Sequence, residues 1–173
     1  MISRIIVILL FCLFSTSVLA YSKPGIKNSY VIKQCRFGCF DKIQAAGNLE
    51  LQINAGCYGH TVKVCGKLND VSALRFYVRG STLYIGGLGA CRSGCCVKVQ
   101  VNLSCLKQLV YTQGCANIHV NACSNYPLSL DIQGSPNIDI QGNILPGRFC
   151  IGGQTQFSAY WMNGCDFYVK ASD

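Results

Sequence analysis

The chain has 173 residues, a formal net charge of +8, 18 glycines and 13 cysteines. That length suits a single domain able to bury its own core, so disulfides would reinforce the fold without having to replace that core. Many glycines with few charges favour tight turns and extended strands over helices, and the absence of a second long apolar stretch argues against a transmembrane segment after the N-terminus.

Residues 1–20 read as a cleaved export signal. Arg4 supplies the positive end, residues 5–14 are an unbroken apolar run, and Val18 and Ala20 put small residues where a signal peptidase cuts, between Ala20 and Tyr21. Ten apolar residues are too few for a membrane span, which needs about 20, and Tyr21 stands where a lipoprotein would carry cysteine. The expected location is exported, periplasmic or extracellular. Cys12 leaves with the signal, and an even twelve remain for an oxidising compartment: Cys35, Cys39, Cys57, Cys65, Cys91, Cys95, Cys96, Cys105, Cys115, Cys123, Cys150 and Cys165.

Residues 21–39 form a lead-in segment, and the domain proper is expected over 40–173. Charge is uneven along the way. Residues 21–107 carry twelve Lys and Arg against three acids, whereas residues 108–173 carry two against four. The basic half could meet an anionic glycan, an envelope polymer or a surface protein. Its cations are scattered singly, as at Lys63, Lys67, Arg75 and Arg79, which equally describes a solvated face; nucleic acid is not expected as a partner.

From Phe40 a period of two takes over. Leu49, Leu51 and Ile53 alternate with Glu50 and Gln52; Val62 with Val64, Phe76 with Val78, Leu83 with Ile85, and Val97 with Val99 and Val101 each flank a polar or aromatic residue. Residues 68–76 come nearest to a helical period and read as a loop or short turn. The segment 56–60, GCYGH, looks like a hairpin turn, so the first half is open to antiparallel pairing.

The second half repeats. Gly114, Gly134 and Gly153 are spaced 20 and 19 apart, and aligning them superposes GCANIHV, GSPNIDI and GQTQFSA. Ile118 and Val120 then match Ile138 and Ile140, and these match Phe157 and Ala159; upstream, Val110 and Thr112 match Leu130 and Ile132, then Phe149 and Ile151. The expected fold class is all-β, a single-domain β-solenoid resembling a parallel β-helix, in which copies stack about 4.8 Å apart and matched apolar columns share one interior. An antiparallel β-sandwich is the structural alternative. The solenoid predicts outward columns as well: His119 over Asp139, and Tyr111 over Asp131 over Cys150. Its ends expose strand edges, which call for a cap or self-association.

These residues carry a family resemblance. FDKIQAAGNLELQI at 40–53, VKVCGKLNDV at 62–71, GSTLYI at 80–85, VKVQVNLSCLKQLVYTQGCANI at 97–118 and LSLDIQGSPNIDIQG at 128–142 resemble, in order, the auto-transporter adhesin head domain, also called the GIN domain. The resemblance covers about residues 40–142 and implies an exported, solenoid-like bacterial domain without catalytic residues or cofactor. The cysteine density is a departure from that pattern.

Chemistry-bearing residues are sparse. Cys91, Cys95, Cys96 and Cys105 could make a zinc knuckle, but Cys-x-x-Cys spacing is absent and exported cysteines oxidise. Local disulfide partners would be Cys35 with Cys39, Cys57 with Cys65, Cys115 with Cys123, and Cys150 with Cys165, or bridges between neighbouring coils. His119 beside Asp139 is the nearest approach to a catalytic dyad, without a Gly-x-Ser-x-Gly elbow. Asp131 and Asp139 could form a glycosidase pair if 5–9.5 Å apart, the usual range of about that size. Tyr77, Tyr84, Tyr111 and Tyr168 fall on outward positions and suit contact with a sugar or a protein. Asn102-Leu103-Ser104 is a formal glycosylation sequon, and Trp161 is placed to cap the last coil. The expected function is a non-catalytic binding, adhesion or envelope-structural role. A polysaccharide-acting envelope enzyme and a disulfide-stabilised secreted effector are the alternatives.

Overall fold

A computed structural model describes residues 17–19, 30–87, 97–161 and 169–172. In chain order the strands are β1 (Ser17–Leu19), β2 (Tyr30–Arg36), β3 (Lys42–Ala45), β4 (Leu49–Ala55) and β5 (Thr61–Lys67), then the helix α1 (Leu68–Ala73). There follow β6 (Arg75–Arg79), β7 (Thr82–Gly86), β8 (Val97–Leu103), β9 (Gln108–Tyr111) and β10 (Ala116–Ala122). The last five are β11 (Ser124–Ile132), β12 (Asn137–Gly142), β13 (Ile144–Gly152), β14 (Gln156–Trp161) and β15 (Val169–Ser172).

The strands form two mixed sheets, ordered β1-β2-β5-β8-β4-β10-β12-β14 and β15-β13-β11-β9-β3-β7-β6. Both contribute inward residues to one hydrophobic cluster, so the two-layer sandwich of the alternative reading fits. Its pairing is not the antiparallel one expected for that reading. From β8 onward successive strands alternate between the sheets, and each strand of β9 to β15 except β14 and β15 has parallel neighbours on both sides. Antiparallel pairing is confined to β1, β2, β5 and β8 at one end of the larger sheet and to β6 and β7 in the smaller.

Period-two alternation decides which way each side chain faces. In β4 and β10 every second residue is buried, and in the larger sheet Val64, Val99, Leu51, Ile118, Ile138 and Phe157 lie side by side on six strands. The opposing column in the smaller sheet is Leu83, Ile43, Leu109, Leu130 and Phe149, and the rings of Phe149 and Phe157 meet edge to face across the interior at 6.0 Å. Each fully buried aliphatic in these columns contributes about 1.5–3 kcal/mol.

A glycine column sets the corner between layers. Gly47, Gly114, Gly134 and Gly153 all have positive φ. A Cβ on Gly134 would lie 2.9 Å from the Gly114 carbonyl oxygen, one on Gly114 would lie 2.9 Å from the Gly47 carbonyl carbon, and one on Gly153 would strike the Gly134 carbonyl oxygen. Gly47 is a member that the repeat in the second half does not reveal.

The end formed by β2 and β6 is closed by side chains. Lys33 lies opposite the buried Val64, so it points inward, with its ammonium 5.3 Å from the centre of the Phe76 ring; Phe37 meets the same ring edge to face at 6.0 Å. An inward-pointing lysine near a sheet margin is a known deterrent to edge-to-edge pairing. Residues 68–73, read as a loop or turn, make the short helix α1, held by burial of Val71 and of Leu74 just beyond it. Residues 30–36, placed in the lead-in, form β2 and pair with β5 over seven residues. The segment 56–60 does not join hairpin partners, because β8 lies between β4 and β5. β1 falls within the segment read as an export signal and pairs only with β2 at the sheet margin; Ala20 and Tyr21 lie outside the described residues.

Replacing Gly134 by alanine should lower stability by more than about 1–2 kcal/mol, since it adds both a left-handed backbone penalty and a clash with the neighbouring corner. Urea unfolding measures the loss. A change within about 0.5 kcal/mol would show that the corner is not under this constraint.

Candidate functional site

The outer face of the smaller sheet gathers aromatic and basic side chains at one margin. β6 is the edge strand, and its alternation turns Phe76 and Val78 inward and Arg75, Tyr77 and Arg79 outward. Antiparallel register sets Tyr77 opposite Tyr84, Arg75 opposite Gly86 and Arg79 opposite Thr82, with Lys42 on the far side of Thr82. The two tyrosine rings stack, with centroids 5.0 Å apart and planes 12° from parallel. Beside them a groove of about 260 Å³ is lined by Gln44, Arg75, Tyr77, Tyr84 and the Gly86–Gly87 backbone. Gly87 has φ +99°, and a Cβ there would lie 2.7 Å from the Ala73 carbonyl oxygen, so only glycine lets the groove floor pass so near α1.

Two stacked phenols offer a broad, rigid surface with polar tips at low entropic cost. The guanidinium of Arg75, lining the same groove, supplies a fork of donors matched to a carboxylate or phosphate. Along the row Tyr77, Tyr84, Gln44, Val110 and Asp131, the first acid is four strand spacings away, roughly 19 Å at the usual interstrand distance.

A second concavity, of about 370 Å³, lies where the loops around residues 39–41, 60, 81 and 104–107 converge. Lys107 Nζ is 2.7 Å from Asp41 Oδ2 and 5.1 Å from the centre of the Tyr126 ring. The Lys107 amide also donates to the Asp41 carbonyl oxygen at 2.8 Å. The hydrogen bond and charge of Lys107 hold the Asp41 carboxyl below its ordinary pKa, and Asp41 raises that of Lys107 in turn. His60 Nε2 lies 3.4 Å from Ser104 Oγ, with the imidazole edge-on to Phe40 at 5.0 Å. The Asp41 carboxylate belongs to Lys107, so these groups do not assemble a serine–histidine–aspartate relay.

Of the tyrosines singled out from sequence, Tyr77 and Tyr84 come together, and Tyr168 lies outside the described residues. Tyr111 does not face outward. It is fully buried, and its hydroxyl donates to the Gly47 carbonyl oxygen at 2.8 Å. The reason is one additional residue between β9 and Gly114: Tyr111 precedes that glycine by three, whereas its partner Ile132 precedes Gly134 by two. Alignment on the glycines therefore slips by one upstream, which exchanges the faces of the strand. Val110, not Tyr111, lies beside Asp131, and Cys150 follows as expected.

His119 does lie beside Asp139, with Nδ1 and Oδ2 3.6 Å apart. The next residue in that row is Ser158, which borders the aspartate and not the histidine, an order unsuited to nucleophilic catalysis. Asp131 and Asp139 face outward from opposite sheets. Layers about 10 Å apart lie between them, so they do not form a glycosidase pair. Asn102 accepts from Asn54 at 2.8 Å and donates to Thr61 at 3.1 Å within β8, which leaves the sequon amide engaged.

The eight described cysteines, Cys35, Cys39, Cys57, Cys65, Cys105, Cys115, Cys123 and Cys150, are unbridged; Cys91, Cys95, Cys96 and Cys165 lie outside the described residues. The local pairing of Cys115 with Cys123 is corrected by geometry, because β10 separates them by roughly 26 Å of extended chain. Cys57 donates its amide to Leu103, whereas Cys65 pairs with Lys98 further along the same strand, so that pair is also held apart. Cys35 is buried in β2 and Cys39 is exposed in the loop after it. No group of three or more potential metal ligands comes together among the described residues.

No protein-family model and no curated protein sequence matches the chain. Solved structures do. A candidate adhesin from Bacteroides fragilis superposes with a TM-score of 0.56 at 16% identity, over 76% of this chain and 60% of that one. Another from Parabacteroides merdae gives 0.54 at 16% identity, over 73% of this chain and 54% of that one. The fold is thus one that proteins named as adhesins share, and the chain matches little more than half the length of each. Among the described residues no helix is long and apolar enough to cross a membrane.

The Asp41–Lys107 pair gives stability a defined pH dependence. Because the folded pKa of Asp41 is lowered, its contribution is complete above the ordinary aspartate value near about 4 and fades as pH falls through the folded value. The melting temperature of Asp41→Asn should accordingly lie below that of the parent at neutral pH and converge with it in acid. A gap that stays constant into acid would contradict this assignment.

Proposed function

We propose that the chain is an exported, non-catalytic binding module that lays the Tyr77–Tyr84 margin of its smaller sheet against an anionic surface polymer. The observation that carries this reading is the stacked tyrosine pair beside Arg75, Arg79 and Lys42, with the nearest acid of its row, Asp131, three strands beyond Tyr84. Stacked rings bind the flat faces of a sugar chain, and the cations bind its acidic groups. Cations on an edge strand also discourage edge-to-edge aggregation, but that role alone does not call for an exposed Tyr77 stacked on a half-buried Tyr84.

The chain is further read as a two-sided solenoid. Alternation of β8 to β15 between the sheets, in-register apolar columns and the glycine corner support that reading. The signal-like residues 1–20 support export with cleavage after Ala20. Likeness to proteins named as adhesins favours a contact role over catalysis. A solenoid suits such a role because stacked strands present a long, nearly flat surface to an extended polymer.

Affinity electrophoresis in gels containing alginate, a polyuronate, tests the site. The parent should be retarded, and retardation should weaken as salt rises. Arg75→Ala and Tyr77→Ala should each raise the apparent Kd roughly fivefold, about 1 kcal/mol, with Tyr58→Ala, at a fully exposed tyrosine elsewhere, as a control that leaves it unchanged. Equal retardation of all four proteins would sink the proposed face.

A further inference from the structure

The outer face of the larger sheet has a different chemistry. Parallel register places Asn54, Asn121, Gln141 and Tyr160 in one row across four adjacent strands. The row beside it contains Gln52, His119 and Asp139. Side chains of one row stand about 4.8 Å apart, and the two rows are about 6.8 Å apart along the strands. Six of these residues, all but Tyr160, line a groove of about 180 Å³, and Tyr160, 68% exposed, stands next to Gln141 at its end.

We propose that this groove is a second binding site, independent of the basic aromatic margin, and that it takes a neutral saccharide. Its charge argues against the other ligand classes. Asp139 is the only acid in the groove, and no lysine or arginine lines it, so an anion meets no fixed cation there. A single carboxylate supplies little negative charge for a divalent cation, and no group of three or more His, Cys, Asp or Glu side chains gathers among the described residues. What the groove does offer is amide groups, each carrying two donors and an acceptor, the complement of a ring of hydroxyls that both donate and accept.

Part of that capacity is already used within the sheet. Gln141 donates to Asp139 at 2.9 Å, and Asn54 donates to Asn102 at 2.8 Å. Gln52 and Asn121 take part in no side-chain hydrogen bond among the described residues, so their amides are available to a ligand. A grid of three strands by two rows spans about 10 Å by 7 Å, the footprint of one sugar ring with its hydroxyls. Tyr160 then offers a ring face to the next sugar along the row.

Affinity electrophoresis against three neutral polymers, dextran, laminarin and galactomannan, tests the assignment on the full chain. At least one polymer should retard the parent. The Asn121→Ala/Tyr160→Ala double variant should bind that polymer about tenfold more weakly, a loss of about 1.4 kcal/mol, and Tyr58→Ala, at an exposed tyrosine outside both faces, should bind it as the parent does. Asn121→Ala alone should keep the parent's melting temperature, because its amide has no partner to lose, while still weakening retardation. The proposal is overturned if none of the three polymers retards the parent, or if the double variant is retarded equally. The alginate response of the other face is a separate readout, so each site can fail without the other.

Discussion

Close approach of backbone to backbone at one corner is the constraint on which the structure depends. Gly47, Gly114, Gly134 and Gly153 adopt positive φ one above another, and each later member packs so near the carbonyl group of the one before that a Cβ has no room. A strand period of two tolerates no error in register, since a slip of one residue sends a whole apolar set to solvent. Four positive-φ glycine corners hold that register, and the apolar columns on either side of the interior follow from it. Burial then supplies the energy, and the corner supplies the geometry in which burial is possible.

Inner positions of the strands, Lys33 excepted, are given to the core, so most of the sheets' chemical variety lies on outer positions, where the two sheets differ. The smaller sheet ends in stacked tyrosines beside arginines. The larger carries amides, one His–Asp contact and the Lys98–Glu50 pair at 2.7 Å. Among the described residues neither face contains a buried polar side chain. Such faces suit contact with extended polymers, where many weak hydrogen bonds and stacking contacts add along a chain. The antiparallel strands and α1 at the β2–β6 end, with Lys33 turned inward over Phe76, close the stack where its parallel pairing would otherwise run out.

Some of this was legible from the chain alone because it is periodic. The alternation predicted strands, and the spacing of Gly114, Gly134 and Gly153 predicted which apolar residues would lie side by side; Ile118, Ile138 and Phe157 do so. Tyr111 was misplaced because one extra turn residue upstream of Gly114 is invisible to an alignment anchored on that glycine. The pocket formed by Asp41, His60, Ser104 and Lys107 could not be read at all, since its members come from segments with no common motif and meet only through loop convergence. The position of β8 between β4 and β5 was equally hidden, because the hairpin-like composition of residues 56–60 reports a turn but not the partner beyond it.

Residue order by itself determined the all-β class, the inward and outward sides of most strands, and three of the four corner glycines, Gly114, Gly134 and Gly153, because each depends on spacing within about twenty residues. The tertiary structure alone decided the order of strands within each sheet, the meeting of Tyr77 with Tyr84, the burial of Tyr111, and the separation of Cys115 from Cys123. Those outcomes depend on which distant segments become neighbours. That choice is made by the packing of two whole sheets against each other, and no local pattern encodes it.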